Sequence, residues 1–443
     1  MKRVRHLASL FLLTPCLLFS EQQPAQELLK PKVRLLKSDI SAPYAILMDA
    51  ETGRVLYAKN AHTPAFPAST TKVATAIYAL SKKAQDLNKL ITVSSDAVGC
   101  VAPSVRRTKH APYRLEYGGT HMGLKVDEQV PLRDLLYGMM LISGNDAANV
   151  IAEYVSGSIP AFISEMNAFL RANGCLQTTY YNPHGLPTND HKTTAYDLAK
   201  MTQVGMRNPL FREIVKTVRY TKPATNKQPE TIFVQTNALL RSGAHFYPKA
   251  IGVKTGYTQS AGHNIVAAAS DENRSLIAVL MTCEDYHQRF KDVTALFEAA
   301  FNEKKVSRTV FAKGFDPLTM KVKGASTLLK AALAEDFVLQ YYPSEEPNIK
   351  ASVRWKELSL PIEKGDVVGE IQLIDSEVGK VLKSAPIYAS DALNKTFVYQ
   401  IMECLQECKQ ILGHKISIII LVALAFSYLI WQFTRRSRKF IKE

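Results

Sequence analysis

Four polar residues, Ser143-Gly144-Asn145-Asp146, interrupt a strongly apolar segment of the chain. The flanking residues 132–142 and 147–155 are apolar at helical spacing, which predicts two buried helices. A polar tetrapeptide inside such a core is unusual, because buried polar groups need hydrogen-bond partners. Taken locally, these residues could form a plain helix–helix turn or part of a functional site, and both interpretations stay open.

A serine and a lysine three residues apart begin an alanine-rich segment that runs to about residue 83. Pro67 and Ser69 fit the signals of a helix start, so Ser69 and Lys72 are expected on one helix face. Each is a weak reagent alone, but together they can form a nucleophile and its base. An S-x-x-K sequence arises by chance about once or twice in a chain of this length, so the pair alone is weak support.

A third polar group, Lys254-Thr255-Gly256, lies in a predicted strand. Residues 250–255, 263–269 and 275–283 are short and apolar, which indicates an antiparallel meander closed by a helix at 287–301. Residues 44–48 and 55–58 predict two strands joined by a turn. The three polar groups therefore occur at a helix start, at a turn between buried helices and in a strand, and this combination is much more specific than any one of them.

The three motifs correspond to the set S-x-x-K, S-D-N and K-T-G, with glycine in place of the middle aspartate. The chain resembles the low-molecular-mass penicillin-binding proteins of the D-alanyl-D-alanine carboxypeptidase type, from about residue 43 to the C-terminal anchor. The stretches 252–258 and 261–264 extend the resemblance. It implies an α+β fold: a β-lactamase/transpeptidase-like catalytic domain, with an antiparallel sheet flanked by helices, then a small β-rich domain and a C-terminal membrane helix.

The catalytic candidates are Ser69, Lys72 and Ser143. The helix macrodipole favours negative charge at Ser69, which helps it to become an alkoxide. Lys72 can take the serine proton only when neutral, and burial together with a nearby cation such as Lys254 would lower its pKa. Ser143 can relay a proton to the leaving amine, and Asn145 can hold Lys72 and a substrate amide.

The remaining site candidates concern substrate binding. Lys254 and Thr255 can bind the terminal carboxylate of the substrate. The resemblance implies an oxyanion hole formed by two backbone N–H groups, those of Ser69 and Tyr257. It also implies a carboxylate-binding arginine after the meander, and Arg289 is the match. The predicted substrate-binding residues are Asn145, Lys254, Thr255, Gly256, Tyr257 and Arg289.

Two further positions need comment. Family members often carry histidine where this chain has Tyr257, and a backbone N–H role survives that change while side-chain tuning need not. His191 lies in a stretch that resembles a family loop near the site. His184 and His191 also flank Asp190, but histidines in a Gly/Pro loop are more often structural, so no metal and no cofactor are expected.

The resemblance implies acyl transfer on a peptidoglycan stem peptide that ends in D-Ala-D-Ala. Ser69 attacks the bond between the two D-alanines, D-alanine leaves, and water hydrolyses the acyl-enzyme. β-Lactams acylate the same serine. A β-lactamase is the nearest alternative, but the spacing of Glu165 and Asn167 does not give the E-x-x-L-N of class A enzymes. A D,D-endopeptidase or transpeptidase shares the acyl-enzyme, and a non-catalytic wall-binding scaffold is the alternative of a different class.

The formal net charge of +15 is first of all consistent with a solvated basic surface, and it also raises the question of a charged partner. The sequence has no zinc-finger spacing, basic helix or RNA-recognition aromatic pattern, which argues against nucleic acid. Attraction to anionic lipid or to an anionic wall polymer fits better. The six cysteines show no metal-binding spacing, and no disulfide is predicted.

Both chain ends indicate export and tethering. Residues 1–20 resemble a signal peptide and 21–40 a leader, before a catalytic domain at 41–305. Residues 306–393 predict a β-rich domain, with a helix only at 325–335, and 394–415 an amphipathic connector. The apolar run 416–433 predicts a transmembrane helix, and the basic tail 434–443 is expected in the cytoplasm. The catalytic domain would then lie on the outer side of the cytoplasmic membrane, tethered by the span, and membrane lipid is an expected partner of the chain.

Overall fold

The computed structural model describes residues 26–27, 40–102, 104–105, 110–315, 318–412, 419, 422–428 and 430. The predicted signal peptide and cytoplasmic tail lie outside these residues, as do most of the predicted leader and half of the predicted membrane span. The described chain divides into two compact units. The first takes in the described residues of Lys32–Lys305 together with Tyr342–Glu346, and the second takes in the rest.

The helices of both units are numbered in chain order. They are α1 Thr71–Lys83, α2 Leu132–Leu141, α3 Asn145–Ser156, α4 Ile159–Ala172, α5 Ala195–Met206, α6 Pro209–Lys216, α7 Gln288–Phe301 and α8 Phe397–Leu412. A short 3₁₀ turn, Ala68–Thr70, precedes α1. The helices predicted around the polar tetrapeptide and at 287–301 are confirmed.

The strands are numbered in the same way. They are β1 Gln26–Glu27, β2 Tyr44–Asp49, β3 Val55–Lys59, β4 Leu90–Thr92, β5 Cys100–Val101, β6 Leu115–Glu116, β7 Gln129–Pro131, β8 Arg219–Lys222, β9 Thr231–Val234, β10 Ala250–Thr258, β11 Gly262–Ser270, β12 Ser275–Cys283, β13 Val306–Phe311, β14 Leu318–Met320, β15 Leu329–Ala332, β16 Phe337–Tyr341, β17 Ile349–Trp355, β18 Val367–Asp375 and β19 Lys380–Ala389.

The first unit is built on an antiparallel sheet in the order β10-β11-β12-β2-β3. The predicted meander and N-terminal strand pair are therefore confirmed. Both faces of the sheet are covered, as the apolar run of β12 requires. Ile277 and Val279 pack in the core that contains α1 and α5, whereas Ala278 and Leu280 pack with α7 on the other face. In the sheet order, β10 lies at one edge.

The second unit contains an antiparallel sheet in the order β1-β17-β18-β19-β15-β14, which confirms a β-rich C-terminal domain. The helix predicted at 325–335 is wrong, because strand β15 occupies Leu329–Ala332. Leu329 and Ala331 are buried while Lys330 between them is exposed, and this period of two is that of a strand.

The described residues contain no helix that is long and apolar enough to cross a membrane. Helix α8 lies within the predicted connector 394–415 and exposes Phe397, Val398 and Met402. The described positions within the predicted span 416–433 are residues 419, 422–428 and 430.

Candidate active site

Ser69 lies in the 3₁₀ turn that leads into α1, not in the first turn of the α-helix itself. Two threonines bond back to the preceding backbone: Thr70 Oγ1 donates to the Pro67 carbonyl at 2.7 Å, and Thr71 Oγ1 donates to the Ala68 carbonyl at 2.9 Å. Ala68 adopts a left-handed φ of 51°, which is uncommon for a residue with a Cβ. Side-chain hydrogen bonds thus fix an unusual backbone that presents the partly exposed Ser69.

The Lys72 amine lies among three oxygen atoms. Its Nζ is 3.0 Å from Ser69 Oγ, 2.6 Å from Asn145 Oδ1 and 2.7 Å from the His184 carbonyl. A neutral amine has two N–H donors and one lone pair, and both the Asn145 and His184 oxygens can only accept. The lone pair of neutral Lys72 is then left for the hydroxyl proton of Ser69. This is the arrangement that a base and a nucleophile require.

Electrostatics favour the neutral form of Lys72. The side chain is completely buried, and burial holds the pKa of its amine well below the usual range of lysine. The charge of Lys254 lowers the pKa of Lys72 further, while the carboxylate of Asp146 acts in the opposite direction. The neighbouring cation expected from the sequence therefore does act on Lys72.

In the polar tetrapeptide, Ser143 and Gly144 lie in the turn between α2 and α3, and Asn145 and Asp146 begin α3. Ser143 has a left-handed φ of 65°, and its carbonyl accepts a bond from Thr120 Oγ1 at 2.9 Å. Its buried hydroxyl finds no hydrogen-bond partner among the described residues. A buried polar group without a partner costs free energy, so this hydroxyl is poised to bond a bound substrate.

The third motif brings β10 against the start of α1. A Cβ added at Gly256 would lie 2.9 Å from the Ser69 nitrogen and 3.0 Å from the Thr70 nitrogen, so only glycine allows this approach. Asn264, on the neighbouring strand β11, donates to the carbonyls of Phe66 and Pro67 at 2.8 and 2.9 Å. Asn264 therefore connects the sheet to the loop that carries Ser69.

Two basic side chains are buried in this region, Lys254 on β10 and Arg289 on α7. Burial, with the charge of Arg289, lowers the pKa of Lys254 to about 7. Arg289 is 3% exposed, donates to the Asn264 carbonyl at 3.2 Å, and stacks its guanidinium on Tyr286 and Phe290. Its Nε has no hydrogen-bond partner in the described part of the chain. No carboxylate is described between these two buried cations, so together they form a suitable site for an anion.

The structure places the other sequence candidates as follows. Thr255 Oγ1 lies 3.4 Å from Thr236 Oγ1. Tyr257 is 58% exposed and stacks on His263 with a centroid distance of 4.4 Å. His191 does not contact Lys72 directly in the contacts described, but its Nε2 lies 2.9 Å from Thr71 Oγ1, on the residue before Lys72.

Some contacts had no signal in the sequence. The His184 carbonyl that bonds Lys72 is a backbone group, and any residue type could supply it.

Glu165, weighed as a deacylating base, accepts hydrogen bonds from Tyr78 and Ser156 at 2.6 and 2.7 Å. Tyr78 lies six positions beyond Lys72 on α1, which is about 9 Å along the axis. Among the described residues, no group of three or more histidine, cysteine or acidic side chains could hold a metal ion.

The profile of the D-alanyl-D-alanine carboxypeptidase family matches residues 30–285, more than half of the chain. The chain belongs to the D-alanyl-D-alanine carboxypeptidase family. A second profile, that of the penicillin-binding protein 5 C-terminal domain, matches residues 307–395. This protein is therefore a low-molecular-mass penicillin-binding protein.

Individual relatives of this carboxypeptidase agree. D-alanyl-D-alanine carboxypeptidase DacF of Bacillus subtilis is 30% identical over 80% of this chain and 86% of its own. The structure of penicillin-binding protein 5 from Haemophilus influenzae aligns with a TM-score of 0.55 at 25% identity, over 82% of this chain and all of that one. The structure of the Streptomyces K15 DD-transpeptidase aligns with a TM-score of 0.53 at 28% identity, over 60% of this chain and all of that one.

The contact at Gly256 gives a first prediction. In Gly256→Ala the new methyl group would meet the backbone nitrogens of Ser69 and Thr70, so β10 and the 3₁₀ turn must separate. We expect the rate of acylation by penicillin to fall by about 10²–10³-fold, the usual cost of losing one oxyanion-hole donor. Stopped-flow or quenched-flow acylation measures this rate.

The matched control is Gly157→Ala, at the C-terminal end of α3. Gly157 has a left-handed φ of 78° and open space around it, so the substitution strains the backbone without touching Ser69. We expect this control to lose about 1–2 kcal/mol of stability and to acylate normally. Equal acylation rates in the two variants would show that the contact at Gly256 is not needed.

Proposed function

We propose that this D-alanyl-D-alanine carboxypeptidase acts through an acyl-enzyme on Ser69, with neutral Lys72 as its general base. The observation that carries the proposal is the position of Lys72 Nζ, 3.0 Å from Ser69 Oγ, with acceptor-only oxygens at 2.6 and 2.7 Å. That geometry leaves the amine lone pair for the serine proton. The substrate is a peptidoglycan stem peptide that ends in D-Ala-D-Ala.

Acylation begins when Lys72 takes the hydroxyl proton and Ser69 Oγ bonds to the carbonyl carbon of the penultimate D-alanine. The resulting oxyanion accepts hydrogen bonds from the N–H groups of Ser69 and Tyr257. The proton then passes from Lys72 through Ser143 Oγ to the nitrogen of the terminal D-alanine. The C–N bond breaks, D-alanine leaves, and the peptide remains as an ester of Ser69.

Deacylation repeats the sequence with water. Lys72 takes a proton from a water molecule, whose oxygen bonds to the ester carbon, and Ser69 leaves with a proton returned to its Oγ. During acylation the terminal carboxylate of the substrate binds between Lys254, Thr255 and Arg289, and it leaves with D-alanine before water attacks. This role fits the two buried cations, because a carboxylate neutralises charge that burial makes costly.

The alternative activities differ from a carboxypeptidase in the peptide bond that they cleave, in the acceptor of the acyl group or in how fast they hydrolyse penicillin. The Streptomyces K15 relative is described as a DD-transpeptidase, which transfers the acyl group to an amine. A D,D-endopeptidase would cleave a crosslink by the same acyl-enzyme. A β-lactamase would rapidly hydrolyse its penicilloyl ester and release the opened drug, and Glu165, hydrogen-bonded to Tyr78 and Ser156, gives no support for that activity here.

Product analysis tests the proposal. We expect a peptide ending in D-Ala-D-Ala to give free D-alanine and the shortened peptide in equal amounts, with penicillin forming a long-lived adduct. Adding an amine acceptor separately measures transpeptidation. Rapid turnover of penicillin without D-alanine release would contradict the proposal and favour the β-lactamase.

We also propose that the C-terminal segment 416–433 spans the membrane once, with the basic tail inside and the catalytic unit outside. The support is the apolar run followed by Arg435, Arg436 and Arg438. Residues 1–20 would be the signal peptide. After expression in bacteria, the full chain should stay in membranes washed with alkaline carbonate, and a chain ending at residue 415 should be released. Release of the full chain would contradict the span.

A further inference from the structure

Asp146, the last residue of the polar tetrapeptide, does not take part in the proposed acyl transfer. It is nevertheless buried, with only 2% of the residue exposed. Its Oδ1 accepts from the backbone N–H groups of Met122 and Ala147, both at 2.9 Å. Its Oδ2 accepts from the N–H of Leu124 at 3.0 Å. A buried carboxylate that three backbone donors satisfy joins the start of α3 to a distant part of the chain.

That distant part is residues 119–124, which we call the clasp. The clasp also bonds to the two functional residues of the tetrapeptide, Ser143 and Asn145. The Asn145 N–H donates to the Thr120 carbonyl at 2.8 Å, and Thr120 Oγ1 donates to the Ser143 carbonyl at 2.9 Å. The first of these bonds joins two backbone groups and the second uses a side chain, so the clasp holds the turn in two independent ways.

The side chain of Met122 completes the attachment. A Cβ added at Gly138 would lie 2.1 Å from Met122 Sδ, and one added at Gly144 would lie 3.0 Å from Met122 Cγ. Glycines on α2 and in the turn therefore leave the space that this side chain fills. The clasp is fixed by packing as well as by hydrogen bonds, and Asp146 accepts two of those bonds.

The clasp matters because Ser143 is held in a strained conformation. A left-handed φ such as its 65° costs a residue with a Cβ about 1–3 kcal/mol and persists only where the surroundings impose it. We infer that Asp146 is a positioning residue for the acylation step, which fastens the clasp and so holds Ser143 and Asn145 in place beside Lys72. This inference rests on the proposed acyl-enzyme mechanism.

Asp146 has a second influence, through its charge. The charged groups that act on Lys72 are Lys254 from β10 and Asp146 from α3, with opposite effects on the pKa of the amine. The loop that carries the His184 carbonyl contributes His191, which contacts Thr71. Without the carboxylate, Lys254 acts unopposed, so the pKa of Lys72 falls further and the acidic limb of the acylation profile moves to lower pH.

The test is Asp146→Asn in the full chain. The amide keeps the size of the side chain, but its Nδ2 would face the N–H of Leu124, donor against donor, and the clasp loosens. We expect the limiting rate of penicillin acylation to fall about tenfold or more, the cost of about 1.4 kcal/mol in the transition state. We also expect the acidic limb of its pH profile to shift to lower pH.

Glu128→Gln is the matched control. Glu128 is also completely buried and accepts from the Lys125 N–H at 3.0 Å and from Thr225 Oγ1 at 2.7 Å, but it is not among the charges that shift the pKa of Lys72. We expect this control to lose stability while keeping the acidic limb of the wild type. The inference would be overturned if the acidic limb of the acylation profile were the same in Asp146→Asn and Glu128→Gln. An unchanged acylation rate in Asp146→Asn would also overturn it.

Thr120→Val covers the case in which Asp146→Asn does not fold. It removes the bond to the Ser143 carbonyl and no charge, so the acylation rate should fall severalfold with the acidic limb unmoved. An unchanged rate in this variant would also overturn the inference. Failure of the proposed function itself would look different, because the wild type would then release no D-alanine.

Discussion

In Ser69→Ala, release of D-alanine from a D-Ala-D-Ala peptide should fall by at least about 10⁴-fold, to the background of the assay. The reason is that Oγ of Ser69 is the atom that bonds to the substrate, and a methyl group cannot replace it. Ser69 is partly exposed, so the variant should fold as the wild type does. The measurement is D-alanine production at saturating peptide, together with a thermal unfolding curve.

Ser81→Ala is the control, because Ser81 lies on α1, the helix that follows Ser69, and is exposed, with its hydroxyl bonded only to the Tyr78 carbonyl in the contacts described. It should keep the activity of the wild type. A scaffold without catalytic chemistry would show no difference between wild type and either variant. Residual D-alanine release in Ser69→Ala close to the wild-type rate would remove Ser69 from the mechanism.

Lys72→Met should lower the rate of Ser69 acylation by about 10³–10⁴-fold, near the upper range for removal of a general base. Methionine fills similar space, but its thioether sulfur is far too weak a base to take the serine proton. In the wild type, the acylation rate should rise with pH as the ammonium of Lys72 loses its proton. The variant should lack this rise. Quenched-flow acylation between about pH 5 and 9 checks both results.

Stability provides an independent reading of the same group. Because folding lowers the pKa of Lys72, the unfolded chain binds the proton more tightly than the folded one. The free energy of unfolding therefore rises with pH between the lowered pKa of the folded state and the usual pKa of the unfolded state. The stability of Lys72→Met relative to wild type should therefore be greatest at low pH and decline as pH rises. Lys82→Met, at an exposed position of α1, should show no such trend. If Lys72→Met kept the pH dependence of the wild-type acylation rate, Lys72 could not be the base.

The sheet and the buried helices could be predicted because their patterns are local. The apolar runs of β10, β11 and β12, and the interruption between α2 and α3, are visible in the sequence alone. The period of two at Leu329 and Ala331 was too short to outweigh helix-forming alanines nearby, which explains the wrong helix at 325–335. Helix α6 and the hairpin β8–β9 were not predicted, although Asn208 caps α6 by accepting from two backbone N–H groups.

The site was predictable to the extent that its chemistry is carried by side chains in motifs. Ser69, Lys72 and Asn145 meet as their motifs suggest, with Lys254 acting electrostatically on Lys72. The His184 carbonyl could not be found, because a backbone oxygen leaves no signature in the sequence. The clasp was missed for a similar reason, since Asp146 bonds to backbone N–H groups more than twenty positions away.

Mass spectrometry of the full chain after incubation with penicillin tests the role of Ser69 as the nucleophile most directly. Trypsin should release the peptide from Asn60 to Lys72, and fragmentation can distinguish Ser69 from Thr63, Thr70 and Thr71 within it. We expect one penicilloyl group per chain, bonded to Ser69. An adduct on any other residue, or no adduct in a folded protein, would contradict that role.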